Sequence, residues 1–428
     1  MAIIIQSEPE AYSLAYNDNV WTFDSVPTNS TRRFIVNVMD YATTTLIAKL
    51  TVYPTQLYNG TGEDAFVDVS KIVQSKMTHD ISIPTSTHLG FLPNTESHFE
   101  YTLIIQEETL DANGEYEQVF THFTTPKSVW NGVEDLVDWL DFDLSNYLMT
   151  SSIGAQKFLT DGPVDTGFDV RYRDIGSDES ASLYFIGSED NAPAWYHLRT
   201  YSEHDEGGTL LSSIYVANPY ATAMTAGYSK RFTRIPIGTS DIPLINASQF
   251  SSGSPSTVLN NVKSYSIELQ NSGGLQISNT VIYNIDKNCS KYTPIRLHWM
   301  NKLGGFDHFN FELKSEKKTD VDRRSYRQQH RRLTSTGWKY NKTRRGRTEY
   351  AIQTTKGITV NTHYLDDFNS KWMESLFTSP VIYQELNGEL ISINIDGRSI
   401  AEKTSLNDKL CQYTFDLEYS LTNNRQRG

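Results

Sequence analysis

The amino-acid sequence predicts a mainly β protein: two or three β-sandwich-like domains with few short helices. Aromatic content points there first, since 25 Tyr, 19 Phe and 7 Trp in 428 residues favour pleated, half-buried surfaces. Short alternating apolar runs recur along the chain, with the period of a strand that buries one face. Asn-Gly and Gly-Gly pairs stand between several of these runs and supply the positive φ that tight hairpins need. A chain this long also exceeds the size at which single cores stop growing, so more than one domain is expected.

The elements follow in order. Residues 1–126 read as an N-terminal domain of the immunoglobulin or fibronectin kind. Phe34, Val36 and Val38 alternate in one strand and Leu46 to Tyr53 form the next. Asp68 or Ser70 caps a short helix carrying Ile72 and Val73. Asn113-Gly114 turns a hairpin, and Thr125-Pro126 marks the boundary. Residues 127–286 form a middle β domain with strands at SLYFIG and AWYHLRTY and a Ser, Gly and Pro-rich loop from Asn246 to Ser256. A second hairpin there turns at Ser272-Gly273-Gly274, whereas the run 135–144 fits either a strand or a helix.

Residues 287–428 form a C-terminal β-rich domain with a basic arm over 314–347 and one helix over 366–377. The strands around Lys356-Gly357 read as a hairpin. Asp366 or Asp367 caps the helix, which places Phe368, Trp372 and Leu376 on one face. Asn387-Gly388 turns another hairpin, and Tyr413, Phe415, Leu417, Tyr419 and Leu421 alternate along a last strand.

Chemistry-bearing motifs are scarce. The opening MAIII lacks the basic region of a signal peptide, and no run approaches the roughly 18–20 apolar residues that span a bilayer. Cys289 and Cys411 are too few for a disulfide framework or a four-cysteine zinc site. Gly207-Gly208 and Gly304-Gly305 lack the context of a phosphate-binding loop, and no G-x-S-x-G elbow occurs. Cys289, His298 and His308 match no familiar zinc spacing, and His298 and Trp299 should face opposite sides of a strand. The expectation is a protein with no catalytic residues, no metal and no cofactor.

Charge is the most uneven property. The net −13 hides a segment, Lys314 to Arg347, with thirteen basic and three acidic residues, a local +10 that leaves −23 on the rest. Tyr326, Trp338 and Tyr340 interleave there with Arg323, Arg324, Arg327, Arg331, Arg332, Arg344, Arg345 and Arg347. Guanidinium groups pair with phosphates and rings stack on bases, so DNA is one partner the arm would suit. An acidic protein surface, most simply another copy of the chain, is the other and the favoured one.

The segment CSKYTPIRLHWMNKLGGFDHFNF, Cys289 to Phe311, resembles a signature of virion proteins from tailed phages that infect Bacteroidetes, crAss-like phages included. Its core here is Ile295-Arg296-Leu297, Trp299, Asn301, Leu303-Gly304-Gly305, Asp307 and Phe309. Trp372, the hairpin from Tyr383 to Ile393 and the early FVDVSKIV are similar to companion segments of the same proteins. The resemblance implies a structural component of the particle, a neck or tail ring or sleeve subunit made in the host cytoplasm. It would contact copies of itself and other virion proteins. A receptor- or glycan-binding tail module is the alternative, and a glycan hydrolase is a third. Read physically, Gly304-Gly305 permits a tight turn and Trp299, Phe306, Phe309 and Phe311 form an aromatic patch. Arg296 is expected to fork onto a carboxylate such as Asp307.

Overall fold

The alternation read in the N-terminal strands becomes a core between two sheets. In strand Arg32–Asp40, Phe34, Val36 and Val38 are fully buried. They meet Trp21 and Phe23 of strand Val20–Ser25, with the Phe23 and Phe34 rings edge-to-face at 5.1 Å. The computed structural model describes residues 3–25, 32–56, 63–134, 143–150, 156–167, 169–188, 192–204, 208–226, 230–286, 291–329, 331–340, 346–395 and 411–424.

One N-terminal sheet runs in the order Ile3–Ser7, Val20–Ser25, Glu63–Asp68, Thr55–Gln56. The other runs Tyr12–Leu14, Lys127–Trp130, His98–Leu110, Arg32–Asp40, Leu46–Val52, with Tyr116–Phe123 also paired to His98–Leu110. Asn113-Gly114 turns that last hairpin, where Gly114 has φ +83° and Asp111 accepts from the Asn113 and Glu115 amides. The expected helix forms over Ser70–Gln74, but its N-cap is Val69, with no side-chain cap, rather than Asp68 or Ser70; the Asp68 carboxylate accepts from the Ser70 amide at 2.9 Å just before it.

A second core fills the middle of the chain. It lies between a four-stranded sheet (Leu148–Met149, Ser182–Gly187, Phe232–Pro236, Leu92–Pro93) and a five-stranded one (Tyr172–Gly176, Val281–Asp286, Ser264–Gln270, Trp195–Tyr201, Leu210–Ala217). Phe91 and strand Leu92–Pro93 belong to this core although they precede residue 126, and strand Lys127–Trp130 belongs to the N-terminal sheet although it follows it. Most of the ambiguous run 135–144 lies outside the described residues, as does Cys289.

The chain divides into two compact units. Both sandwiches fall in the first, Met1–Lys287 with Met300–Asp307; the second is Asn288–Trp299 with His308–Gly428. The second unit is one eight-stranded sheet in the order Phe306–Phe311, Ile295–Met300, Ile382–Leu386, Glu389–Ile395, Thr414–Tyr419, Arg347–Asn361, Glu316–Arg327, with Asn423–Asn424 also on Arg347–Asn361. Helix Asp367–Thr378 is capped by Asp366, which accepts from the Asn369 amide at 2.8 Å, and buries Trp372, Met373 and Leu376. Trp372 meets Trp299, their rings 5.4 Å apart. Asn387-Gly388 turns its hairpin with φ of +54° and +77°, the conformation that dipeptide adopts readily. The molecule is mainly β, with three short α-helices among the described residues.

One expected hairpin is absent. Lys356-Gly357 is no turn but lies inside the single strand Arg347–Asn361, with Gly357 opposite Lys318 on one side and Glu418 on the other. A side chain there would bring its Cβ to 2.8 Å from the Leu417 carbonyl oxygen. The glycine serves a close strand approach, not a positive φ. Gly357→Ala should therefore lower stability by about 1–3 kcal/mol in denaturant unfolding, and an unchanged midpoint would count against that packing.

Candidate functional site: a buried glycine turn, a polar relay and a basic ribbon

The turn of the sequence signature is held by many contacts within the first unit. Gly304 has φ +82°, and a Cβ there would overlap the Asn131 carbonyl oxygen. A Cβ on Gly305 would overlap the Leu159 carbonyl oxygen. Asn301 ties the turn internally, its Oδ1 accepting from the Leu303 and Gly305 amides at 3.0 and 3.1 Å. Its Nδ2 donates outward to the Leu159 carbonyl at 3.1 Å and to Asp307 Oδ2 at 3.0 Å. Val133 donates its amide to the Lys302 carbonyl at 2.7 Å, and Lys302 Nζ meets Glu134 Oε1 at 2.7 Å.

Asp307 is buried and multiply held. The Thr160 hydroxyl donates to Oδ1, the Asp161 amide donates to Oδ2 at 3.2 Å, and Arg173 Nη1 stands 3.8 Å from Oδ1. Arg296, expected to fork onto a carboxylate such as Asp307, does meet a carboxylate, that of Glu385. Arg296 belongs to the second unit, where the register of Ile295–Met300 against Ile382–Leu386 puts it opposite Glu385. Its Nε meets Glu385 Oε2 at 3.1 Å and its Nη1 donates to Asn310 Oδ1 at 2.7 Å. Strand register, invisible in a short segment, brings this partner in from far along the chain. His298 Nε2 shares the same Glu385 oxygen at 2.9 Å, and Trp299 turns to the opposite face. Trp299 Nε1 donates to Ser375 Oγ at 2.9 Å.

Asp161 is the strained member of the turn's surroundings. Its Oδ2 is shut off from solvent and has no hydrogen-bond partner among the described residues. Burial first, then the neighbouring Asp307 charge, push its carboxyl up to about 7. Lys302 opposes the shift by its charge and its backbone amide, and Glu134 adds to it.

A second polar cluster, which motif searching missed, lies on the outer face of the five-stranded sheet. Ser213 Oγ and His197 Nε2 share a hydrogen bond of 2.8 Å, and His197 Nδ1 lies 3.2 Å from Glu268 Oε1. Arg199 Nη2 and Gln270 Nε2 donate to that same oxygen at 2.7 and 2.8 Å. Burial alone would raise the Glu268 carboxyl, but the hydrogen bonds from His197 and Gln270 and the Arg199 charge outweigh it and hold it below its ordinary value. The register explains the meeting, since His197 stands opposite both Glu268 and Tyr215, and Arg199 opposite Ser213. The only sequence signal was polar alternation, His-x-Arg on one strand and Glu-x-Gln on another. The order serine, histidine, carboxylate is that of a nucleophile relay. Ser213, however, lies inside a strand rather than at a turn or helix start, where backbone amides converge on an oxyanion. The cluster is a cross-strand polar ladder that fixes register.

The basic arm is a β-ribbon. Strand Glu316–Arg327 pairs along its length with Arg347–Asn361, and beyond it Arg331–Thr334 pairs with Gly337–Tyr340. Its side chains are almost all exposed, with Leu333, Trp338 and Tyr340 at 64, 59 and 63 %. Arg331 sits 4.8 Å over the Tyr340 ring, and the Tyr326 and Tyr350 rings approach to 6.2 Å. Arg323 meets Glu349 at 2.8 Å, an exposed pair. Arg327 faces Arg347, and Arg332 faces Lys339, like charges directly opposed. Arg344 and Arg345 lie outside the described residues.

Three outcomes follow from this geometry. Gly304→Ala should destabilise by about 3 kcal/mol or more, because the new methyl meets backbone at a φ reserved for glycine; denaturant unfolding reads it, and a native midpoint would sink the turn's proposed tightness. Asp161 has a folded pKa raised above its unfolded one, so its contribution is present below about pH 4 and is lost as pH rises through about 7. Asp161→Asn should flatten that decline and raise the melting temperature at pH 8 relative to the parent chain; an unaltered pH profile would contradict the assignment. Glu268→Ala should cost about 2–4 kcal/mol by stranding His197, Arg199 and Gln270, whereas a loss under 1 kcal/mol would mean that water replaces the carboxylate.

The chain matches no protein-family model and no curated protein.

Proposed function

We propose that the chain is a structural subunit of a tailed-phage particle, a neck or tail ring or sleeve component that assembles through protein–protein contacts. The observation that carries this reading is the exposed ribbon. Two strands of 12 and 15 residues form its stem, and a further hairpin beyond it presents aromatic and cationic side chains to solvent. Past Gln353, where Arg347–Asn361 pairs with Asn423–Asn424 and Thr414–Tyr419, the ribbon has two strands only, a marginal arrangement in water, and exposed Trp, Tyr and Arg are the types that dominate the centres of interfaces. The turn signature around Gly304-Gly305 supports the particle assignment through its resemblance to virion proteins. Virion localisation and contact with other particle proteins are part of the same proposal, and no catalytic step is.

The outer face of the five-stranded sheet favours a second reading, a glycan-binding tail module. Trp195, Tyr201 and Tyr215 stand there at half-buried positions beside the Arg199–Glu268 pair, and aromatic rings with flanking hydrogen-bonding groups suit a sugar face.

Negative-stain imaging and mass photometry of the purified full chain discriminate the two. Closed rings or stacked sleeves at micromolar concentration are the expected result. A monomer at every concentration that is retained on host capsular glycan would replace the first reading with the second.

A further inference from the structure

The ribbon carries a feature that the assembly reading does not itself specify, a free strand edge with a defined electrostatic demand. Glu316–Arg327 ends its sheet, and its second edge is bonded to no strand among the described residues. Its last five residues, Arg323 to Arg327, are three arginines, a serine and a tyrosine. Arg323 is paired with Glu349 and Arg324 lies 3.7 Å from Asp322, but across the ribbon Arg327 faces Arg347, with Arg332 against Lys339 beyond. Opposed like charges cost stability unless anions are supplied from outside. Cationic edges also repel copies of themselves, which restricts what strand can add there.

The chain holds a matching edge. Hairpin His98–Leu110 to Tyr116–Phe123 contains six acidic residues (Glu100, Glu107, Glu108, Asp111, Glu115 and Glu117) and neither Lys nor Arg. Its outer strand, Tyr116–Phe123, pairs on one side only among the described residues. Six of its eight residues, with Glu115 before them, leave their side chains in solvent. Val119 and Phe123, 46 and 69 % exposed, give it an apolar margin that a single sheet leaves uncovered. Glu108 already meets Arg33 at 2.6 Å, so Asp111, Glu115 and Glu117 carry the charge on offer.

We infer that the cationic edge Arg323–Arg327 of one copy takes the edge strand Tyr116–Phe123 of a second copy, with Glu117 and the adjoining Asp111 and Glu115 of its turn supplying the negative charge, continuing the sheet across the contact. Backbone hydrogen bonds supply the adhesion and opposite charge selects the partner and its direction. The eight residues of the acceptor fit within the twelve of the ribbon strand. This inference rests on the assembly reading and names its contact.

Charge reversal in the full-length chain tests it. A ribbon variant carries Arg324→Glu, Arg327→Glu and Arg347→Glu; a hairpin variant carries Asp111→Lys, Glu115→Lys and Glu117→Lys. Far-ultraviolet circular dichroism and melting confirm that each is folded, and sedimentation velocity at 50 and 500 mM NaCl reads association. Each variant alone should lose self-association by about tenfold or more, because like charges then face each other. An equimolar mixture should restore it, since each reversed ribbon now meets a reversed hairpin. Association that survives hairpin reversal but not ribbon reversal overturns the inference while leaving assembly through the ribbon intact. A wild-type chain that stays monomeric at both salts overturns the assembly reading as well. Loss of association in the ribbon variant, with wild-type ribbon retained on a duplex DNA column and no rescue on mixing, would assign the edge to nucleic acid instead.

Discussion

Backbone-to-backbone approach at the Gly304-Gly305 turn governs how the first unit is completed. Residues Met300–Asp307 sit in sequence between two strands of the other unit, yet they pack with Met1–Lys287. Two carbonyl oxygens, of Asn131 and Leu159, occupy the space that two β-carbons would need. Asn301 then satisfies the amides and carbonyl that such a tight turn would otherwise leave unpaired. Buried backbone polar groups must find partners, and here a side chain of the turn itself supplies them. The sequence Asn-x-x-Gly-Gly is thus a single physical unit: remove either glycine and the carbonyls clash, remove the asparagine and the amides go unpaired.

The ionised groups around that turn show why its burial is not free. Asp307 has a threonine, an asparagine, a backbone amide and an arginine within reach. Asp161, beside it, has fewer donors, and burial first and the Asp307 charge second push its carboxyl up to about 7. At Glu268 the balance tips the other way, because three donors converge on one oxygen and favour the charged form.

Much of the fold was legible, and the reasons for success and failure are specific. Hairpins at Asn113-Gly114 and Asn387-Gly388 were readable because the dipeptide itself prefers the turn conformation. The cap at Asp366 was readable for the same local reason. Lys356-Gly357 misled because glycine has two uses, positive φ and close approach, and sequence does not say which. That Arg296 meets a carboxylate was readable, but Glu385 was not, because it lies 89 positions away and is chosen by strand register. The His197–Glu268 ladder was hidden for that reason too. The basic arm, in contrast, was visible as composition, since a run of like charge is a property of sequence before it is one of shape.

That single-sign arm also limits the symmetry of any assembly built through it. In an isologous dimer the same patch lies across a twofold axis from itself. A ribbon with Arg327 already facing Arg347 would then meet a second set of the same arginines, adding repulsion to repulsion. Positive charge gathered in 34 residues, on a chain whose remainder carries −23, favours contact with a different patch of the next copy. Such contacts are heterologous. Repeated with a rotation that closes they give rings, and repeated with one that does not they give open helical filaments. The angle between ribbon and acceptor, rather than the strength of either, decides which of the two this chain would form.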